Sequence, residues 1–160
     1  MSDQELSRLL SELQQDAQKL NEASDSINLI VTSIEQKIVE SNVGLECWLD
    51  SDPIYRSKWT YWNDDNNVDH SARTETILGF AKLVQPEGWR LAVREREVET
   101  YGRPDQEETK SEYKTPTPLW RASRELRIRA LEKMPDIVEL LRDEAKRSLE
   151  AIARAKKLID

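Results

Sequence analysis

The sequence predicts an α+β fold in which a long N-terminal helix and two C-terminal helices flank a small antiparallel β-meander of three or four strands. Apolar residues near each end of the chain repeat at alternating steps of four and three, the heptad spacing of paired helices. Between these two repeats the apolar period changes to two, as in half-buried strands. The length of 160 residues suits a single domain over 1–160.

The long N-terminal helix is predicted over residues 1–42. Ser2 is a suitable N-cap, and Glu5 three residues later completes a capping box. Asn42 follows the last periodic residue and marks the end of the helix. The heptad stripe consists of Leu6, Leu10, Leu13, Ala17, Leu20, Ser24, Ile27, Val31, Ile34 and Ile38.

The antiparallel sheet is predicted over residues 43–100. Residues 43–49 alternate between apolar and polar side chains, which indicates a strand with one buried face. Residues 58–62 are rich in aromatic residues and form a candidate second strand. Residues 74–84 and 89–100 flank a turn that contains proline and glycine, so they are expected to form a hairpin.

The C-terminal part of the chain is predicted to be a polar loop, 101–118, followed by a helical segment, 119–160. The first helix is expected over 122–133. Pro135 lacks a backbone donor and clashes with the preceding turn, so it either kinks the helix or starts a new one over 135–159. The second heptad stripe consists of Leu131, Met134, Val138, Leu141, Ala145, Ser148, Ile152, Ala155 and Ile159.

The two heptad stripes are expected to pair as an antiparallel coiled-coil-like stalk with the sheet at one end. One register aligns Ile34 with Val138 and fits apolar residues to each other along the seam. The same register sets Ser24 against Ser148, so that the two polar residues of the seam meet. The alternative is that each stripe faces the sheet.

A second apolar row runs beside these stripes and needs a further cover. The short helix predicted over 122–133 is too short to cover all of it, so a second copy of the chain is expected to bury the rest in a four-helix bundle. The predicted dimer interface consists of Leu9, Ala23, Ile30, Ile137, Ala151 and Leu158.

Aromatic and acidic residues around the second strand form the candidate partner-binding surface. Most of the five tryptophans are interpreted as core residues, but Trp59 and Trp62 lie at odd and even positions that cannot both face one core. Exposed aromatic clusters are typical of binding surfaces. The candidate surface consists of Tyr55, Trp59, Tyr61, Trp62, Asp64, Asp65 and Asp69.

The polar run 63–71 is predicted to be a loop. Asp65, Asn67 and Asp69 have part of the spacing of a calcium-binding EF-hand loop. His70 replaces the required glycine, and the final glutamate is missing. The run is therefore interpreted as turn chemistry, and no metal site is predicted.

Arginines offer an alternative, anion-binding surface for nucleic acid. Glutamates are interleaved with them, and the net charge of −7 opposes attraction of a polyanion, so a salt-bridged surface is favoured. The arginines are Arg90, Arg94, Arg96, Arg121, Arg124 and Arg127.

These observations favour a non-enzymatic protein-interaction or regulatory module, including an inhibitor, that binds an unidentified protein partner as a homodimer. A nucleic-acid-associated accessory protein is the alternative. No catalytic set, phosphate-binding glycine loop or cofactor motif is found in the sequence. The lone Cys47 agrees with a reducing compartment, and no leader or membrane-spanning segment is predicted, so a cytoplasmic location without membrane binding is expected.

Overall fold

The computed structural model describes residues 2–103 and 105–158. Within these residues helix α1 (Asp3–Glu40) precedes an antiparallel sheet, and helix α2 (Arg124–Lys156) follows it after a short 3-10 turn. This order confirms the α+β class. The strands are β1 (Cys47–Trp48), β2 (Tyr55–Arg56), β3 (Thr60–Asn63), β4 (Asp69–Leu83), β5 (Gly88–Gly102), β6 (Glu108–Tyr113) and β7 (Thr117–Pro118).

The β4–β5 hairpin is the frame of the sheet. Its register runs without interruption from Leu83 opposite Gly88 to Asp69 opposite Gly102. The hairpin predicted from residues 74–84 and 89–100 is confirmed, and each strand is longer than predicted. β1, β2 and β3 pair along the free edge of β4, while β7 and β6 pair along the free edge of β5.

One face of the hairpin forms the main core together with both helices. Leu78 and Phe80 of β4 stand opposite Val93 and Leu91 of β5, and directly opposed residues share a face. The helices cover this face with buried side chains, which are Val31, Ile38, Ala130, Met134, Ile137 and Leu141. The second half of the α1 stripe and the first half of the α2 stripe therefore pack into the core on the sheet, which was the alternative to a free stalk.

Helix α1 begins as predicted, since the Ser2 hydroxyl accepts a hydrogen bond from the Glu5 backbone N–H at 3.3 Å. Every residue from 3 to 23 is exposed, and burial begins only at Ser24. Within the described residues, the first half of α1 therefore buries no side chain, whereas its second half packs against β5 and α2. Glu35 fixes that second half, because its carboxylate accepts the backbone N–H of Leu91 at 2.8 Å.

The two helices run side by side in the same direction, so the predicted antiparallel register is wrong. Arg124 at the start of α2 donates to Asn21 at 2.7 Å, and the next contact joins Arg127 to Asn28. Further along, Ile38 lines the same groove as Leu141, where the antiparallel register would have placed Met134. A heptad stripe fixes which face of a helix is buried but not the direction of its neighbour.

A single helix, α2, replaces the two predicted C-terminal helices. It continues through Pro135, although a proline inside a helix costs about 3 kcal/mol. Met134 and Ile137 on either side of it are 4% and 0% exposed, and their burial on the sheet offsets that cost. Pro135 itself is exposed on the opposite side of the helix.

The segment 101–118 was predicted to be a polar loop, but it contains two strands, β6 and β7. Every residue of β6 is exposed, so its sequence carries no apolar alternation that would indicate a strand. It pairs with residues 96–101 of β5 through the backbone and through exposed cross-strand contacts such as Tyr101 with Glu108. Pro118 of β7 is buried and pairs with Ala92, which leads the chain into α2.

Before β4, the first strand is shorter than predicted and the second continues one residue further. Only Cys47 and Trp48 of the predicted strand 43–49 pair with β4, although Val43, Leu45 and Leu49 do pack against the core as expected. Residues 58–62 contribute β3, which continues to Asn63. The predicted loop 63–71 is shorter, because residues 69–71 belong to β4.

Candidate functional site

The candidate site lies where the long hairpin ends. We call this region the sheet tip and define it as β3, the loop 64–68, and the strand ends 69–71 and 100–102. Asp64 builds the loop, because its Oδ1 accepts the backbone N–H groups of Asn66 and Val68, each at 2.9 Å. Asn67 has a positive φ of 61°, which asparagine tolerates in tight turns.

His70 is the centre of the sheet tip. Its Nδ1 lies 2.9 Å from Glu99 Oε1 and its Nε2 lies 3.2 Å from Asp64 Oδ2. The ring is stacked between Trp62, with centroids 5.2 Å apart, and Tyr101, with centroids 6.0 Å apart. Only the protonated imidazolium donates from both nitrogens, so this arrangement favours a charged histidine.

The charges in the sheet tip stabilise one another. The hydrogen bond to Glu99, followed by the one to Asp64, raises the pKa of His70 above its usual value. The backbone N–H of Val68 and then the His70 ring lower the pKa of Asp64. Each of these contacts favours the charged form of the group concerned, the imidazolium of His70 and the carboxylate of Asp64.

A cavity of about 260 Å³ opens on the sheet tip beside this stack. Tyr61, Trp62 and Tyr101 supply aromatic rings to its wall, and Asp69 and Glu107 supply carboxylates. Tyr61 is 73% exposed and Trp62 is 41% exposed, so both rings are accessible to a partner. An aromatic wall with carboxylates nearby has the chemistry that binds cations.

Only part of the predicted partner-binding surface meets at the sheet tip. Tyr61, Trp62, Asp64, Asp65 and Asp69 are together there. Trp59 instead packs under the guanidinium of Arg73, 4.6 Å from the ring centroid. Tyr55 pairs with Thr76, six residues along β4 from His70, which is about 20 Å away.

Sequence reasoning missed the roles of His70, Glu99 and Tyr101. The hairpin was predicted without its register. The observed register, with Leu83 opposite Gly88, sets His70 opposite Tyr101, whereas pairing the predicted strand ends, 84 with 89, would have set His70 opposite residue 103.

A buried ion network lies on the face of the β4–β5 hairpin opposite the main core. Glu75 is 2% exposed, and its carboxylate accepts Arg96 Nε at 2.9 Å and lies 2.6 Å from Arg73 Nη2, with Arg56 Nε at 3.4 Å. Burial alone would raise the pKa of Glu75, but the hydrogen bonds and charges of Arg96 and Arg73 outweigh it and lower the pKa. Arg96 is held further by the backbone oxygen of Asp50 at 2.8 Å.

Arg94 is held between two aromatic rings. Its guanidinium carbon lies 4.2 Å from the ring centroid of Trp48 and 4.1 Å from that of Tyr113, and it donates to Asp50 at 2.9 Å. Trp48 in turn covers Gly79, where a Cβ atom would lie 2.2 Å from the indole ring. This cluster fastens β6 and β1 over the hairpin and leaves Arg94 with little freedom to bind an anion.

The remaining arginines of the predicted anion-binding surface are also engaged. Arg90 Nη1 donates to Glu35 at 3.0 Å, and Arg124 and Arg127 donate to asparagines of α1. Arg121 lies over the ring of Trp120. The structure therefore does not bring the six arginines together as one free basic patch.

The predicted dimer interface is exposed except at one position. Leu9 is 44% exposed, Ile30 48% and Leu158 88%, and the two alanines, Ala23 and Ala151, are exposed as well. Ile137 is 0% exposed because its side of α2 packs on the sheet. It therefore has no surface for a second chain and does not belong to such an interface.

Cys47 is buried against the core, and burial above all raises the pKa of its thiol to about 11. Such a thiol is a poor nucleophile at neutral pH. Among residues 2–103 and 105–158, no group of three or more His, Cys, Asp and Glu side chains is placed to hold a metal ion.

No protein-family model, curated protein or solved structure matches this chain. Within the described residues, neither helix has a stretch long and apolar enough to cross a bilayer.

Proposed function

We propose that this protein is a dimeric, non-enzymatic interaction module that binds a basic segment of a partner protein at its sheet tip. The observation that supports this best is the ordered stack of Trp62, His70 and Tyr101. It holds two aromatic rings in place while Trp62 remains 41% exposed. Rigid, accessible aromatic side chains are typical of binding hot spots.

The charge of the sheet tip favours a cationic partner. Asp65 and Asp69 of the sheet tip and Glu107, which lines the cavity beside it, are exposed, while His70 is already paired with two other carboxylates. A lysine or arginine side chain would meet an aromatic face and a carboxylate together, and such contacts are favourable even when partly exposed. The net charge of −7 adds long-range attraction for a basic partner.

The test is binding of a short fluorescent lysine–arginine peptide, followed by anisotropy at low and moderate salt. We expect the double variant Tyr61→Ser, Trp62→Ala to bind at least about tenfold more weakly, the loss typical of hot-spot aromatics. Tyr55→Ser is the matched control, because Tyr55 is a 40% exposed tyrosine on the same edge of β4 but outside the sheet tip.

Two outcomes would overturn the proposal. One is that the wild type binds no peptide, and the other is that Tyr55→Ser weakens binding as much as the tip variant does. A labelled DNA duplex in the same assay tests the alternative function. Salt-sensitive binding of the duplex that is lost in Arg121→Ser, Arg124→Ser would favour nucleic acid over a protein partner.

A further inference from the structure

The first half of α1 is an amphipathic helix with a bare apolar stripe. Its leucines are 43–65% exposed, and no residue between 3 and 23 is buried. A short isolated helix is only marginally stable in water, and most helical stability in proteins comes from packing of the apolar face. The exposed leucines are Leu6, Leu10, Leu13 and Leu20 of the heptad stripe and Leu9 of the apolar row beside it.

A matching acceptor lies on the outer side of the two helices. Ile30, Ile34, Leu131, Pro135 and Val138 line an open apolar groove between α1 and α2, which we call the helix groove. A second apolar hollow continues it past Ile38 and Leu141 to the end of α1. Two parallel helices with an open furrow between them accept a third helix by ridge-into-groove packing.

We propose that the first half of α1, residues 3–20, lies in the helix groove of a second copy, antiparallel to its α1, and that the second copy returns the same contact. This deepens the dimer named in the proposed function by assigning its surfaces. The interface is isologous, since each chain supplies one helix segment and one groove.

The heptad spacing of α1 supports this register. With the two-fold axis level with residue 22, Leu10 lies level with Ile34 of the second copy and Leu6 with its Ile38. Leu13 lies level with Val31 of the second copy, beside the exposed Ile30. Each pair joins an a to a d position, which is the rule for antiparallel coiled coils. Because Val31 and Ile38 are 3% and 8% exposed, the leucines level with them contact their exposed neighbours, such as Ile30, and not those side chains.

The charges match in the same register. The first turn of α1 carries Asp3 and Glu5, and it arrives at the far end of the second copy's groove. Lys37 and Arg142 line that end. Acidic groups at a helix N-terminus beside basic side chains favour this orientation over its reverse.

The interface also has a sufficient area. Residues 3–20 form a segment about 27 Å long on a helix about 10 Å wide. Two such footprints, each covering surface on both chains, bury roughly 1,100 Å². This exceeds the ~1,000 Å² that a biological interface should bury and lies at the small end of specific interfaces. A single copy of the contact would bury half as much, which is why the reciprocal arrangement is the one proposed.

The first test is sedimentation equilibrium of the full chain with single aspartate substitutions. Leu10→Asp places a charge on the stripe and Val138→Asp places one in the groove, at side chains 55% and 48% exposed. We expect each to raise the dimer dissociation constant at least about 100-fold while circular dichroism shows a folded sheet. Gln15→Asp, an exposed residue of α1 off the stripe, is the matched control and should stay dimeric.

The second test determines which surfaces meet. In an equimolar mixture of Leu10→Cys and Val138→Cys chains, we expect a short bis-maleimide to join one chain of each kind. Neither variant alone should cross-link, and the buried Cys47 should stay inert. Cross-linking of Leu10→Cys to itself would indicate parallel helices in register and would overturn the proposal.

A monomeric wild type at high micromolar concentration would also overturn it. This failure is distinguishable from failure of the sheet-tip proposal, because peptide binding is measured on the same samples. A monomer that still binds the peptide would leave the sheet-tip function standing and remove only the dimer surfaces.

Discussion

Glu75 is the residue whose replacement tests the interior of the sheet most directly. Its carboxylate is 2% exposed and lies against three arginines. Glu75→Gln keeps the shape of the side chain but removes its charge. Three guanidinium groups then lie together without the anion that balances them.

The expected loss of stability depends on how deeply the arginine partners of Glu75 are buried. Breaking a fully buried ion pair costs about 3–5 kcal/mol, because the remaining charge is left without a partner. Here the arginine side chains are between 16% and 46% exposed, so water screens part of the loss. We therefore expect Glu75→Gln to lower the free energy of unfolding by about 2–3 kcal/mol. This corresponds to a fall in Tm of about 5–10 °C.

The assay is chemical unfolding followed by tryptophan fluorescence, with Glu95→Gln as the control. Glu95 is also on the hairpin, but its pair with Lys114 has side chains 49% and 61% exposed. Such surface pairs contribute about 1 kcal/mol or less. If Glu75→Gln costs no more than Glu95→Gln, the network does not stabilise the fold and the reasoning is refuted.

The pH dependence provides an independent check on Glu75. Its pKa in the folded state lies below the ordinary glutamate value of 4.5. Its contribution to stability is therefore present above that value and is lost as the pH falls through the lower folded-state pKa. We expect the stability difference between the wild type and Glu75→Gln to narrow in acid and to be constant near neutrality.

Three further predictions concern single side chains. The raised pKa of His70 means that its stabilising charge is present below its ordinary value of 6.5 and is lost as the pH rises through the folded-state pKa. Amide exchange is base-catalysed in any chain, so the measurement is the protection factor at the sheet tip, which should fall at alkaline pH in the wild type but not in His70→Gln. Cys47 should react with maleimide only at the rate of unfolding, and rapid labelling of the native chain would contradict its burial. Gly79→Ala should destabilise by about 1–3 kcal/mol, measured by denaturant unfolding, because its Cβ would lie 2.2 Å from the ring of Trp48.

The features that could be predicted from sequence are those with a one-sided apolar pattern. The apolar stripe of α1 and the turn between β4 and β5 are visible in the sequence, and both the helix and the hairpin were located. β6 is exposed on both faces, so no such pattern marks it. Pro135 was interpreted as a break because local propensity disfavours it, whereas packing of Met134 and Ile137 decides the outcome.

The direction of the helices could not be derived from the stripes. An a/d stripe can pack against a parallel or an antiparallel helix. The direction is set by where the intervening sheet ends and the second helix begins. The contacts of the candidate site could not be derived from the sequence either. Tyr61 and Trp62 were found from composition, but the partners of His70 come from residues 6 and 29 positions away, which only the fold brings together.

A dimer of the proposed form would present two sheet tips to one partner. The two-fold axis that sets the α1 helices antiparallel places the two sheet tips on opposite sides of that axis, so each tip meets a separate segment of its partner. A partner with repeated basic segments would then be held by both tips, with an effective concentration set by the rigid dimer. The wild type should therefore dissociate from a surface densely coated with peptide more slowly than Leu10→Asp does. For the free peptide the two proteins should have the same affinity per chain, since the tip residues are unchanged. Equal dissociation rates from the coated surface would mean that the dimer does not present its tips for shared binding.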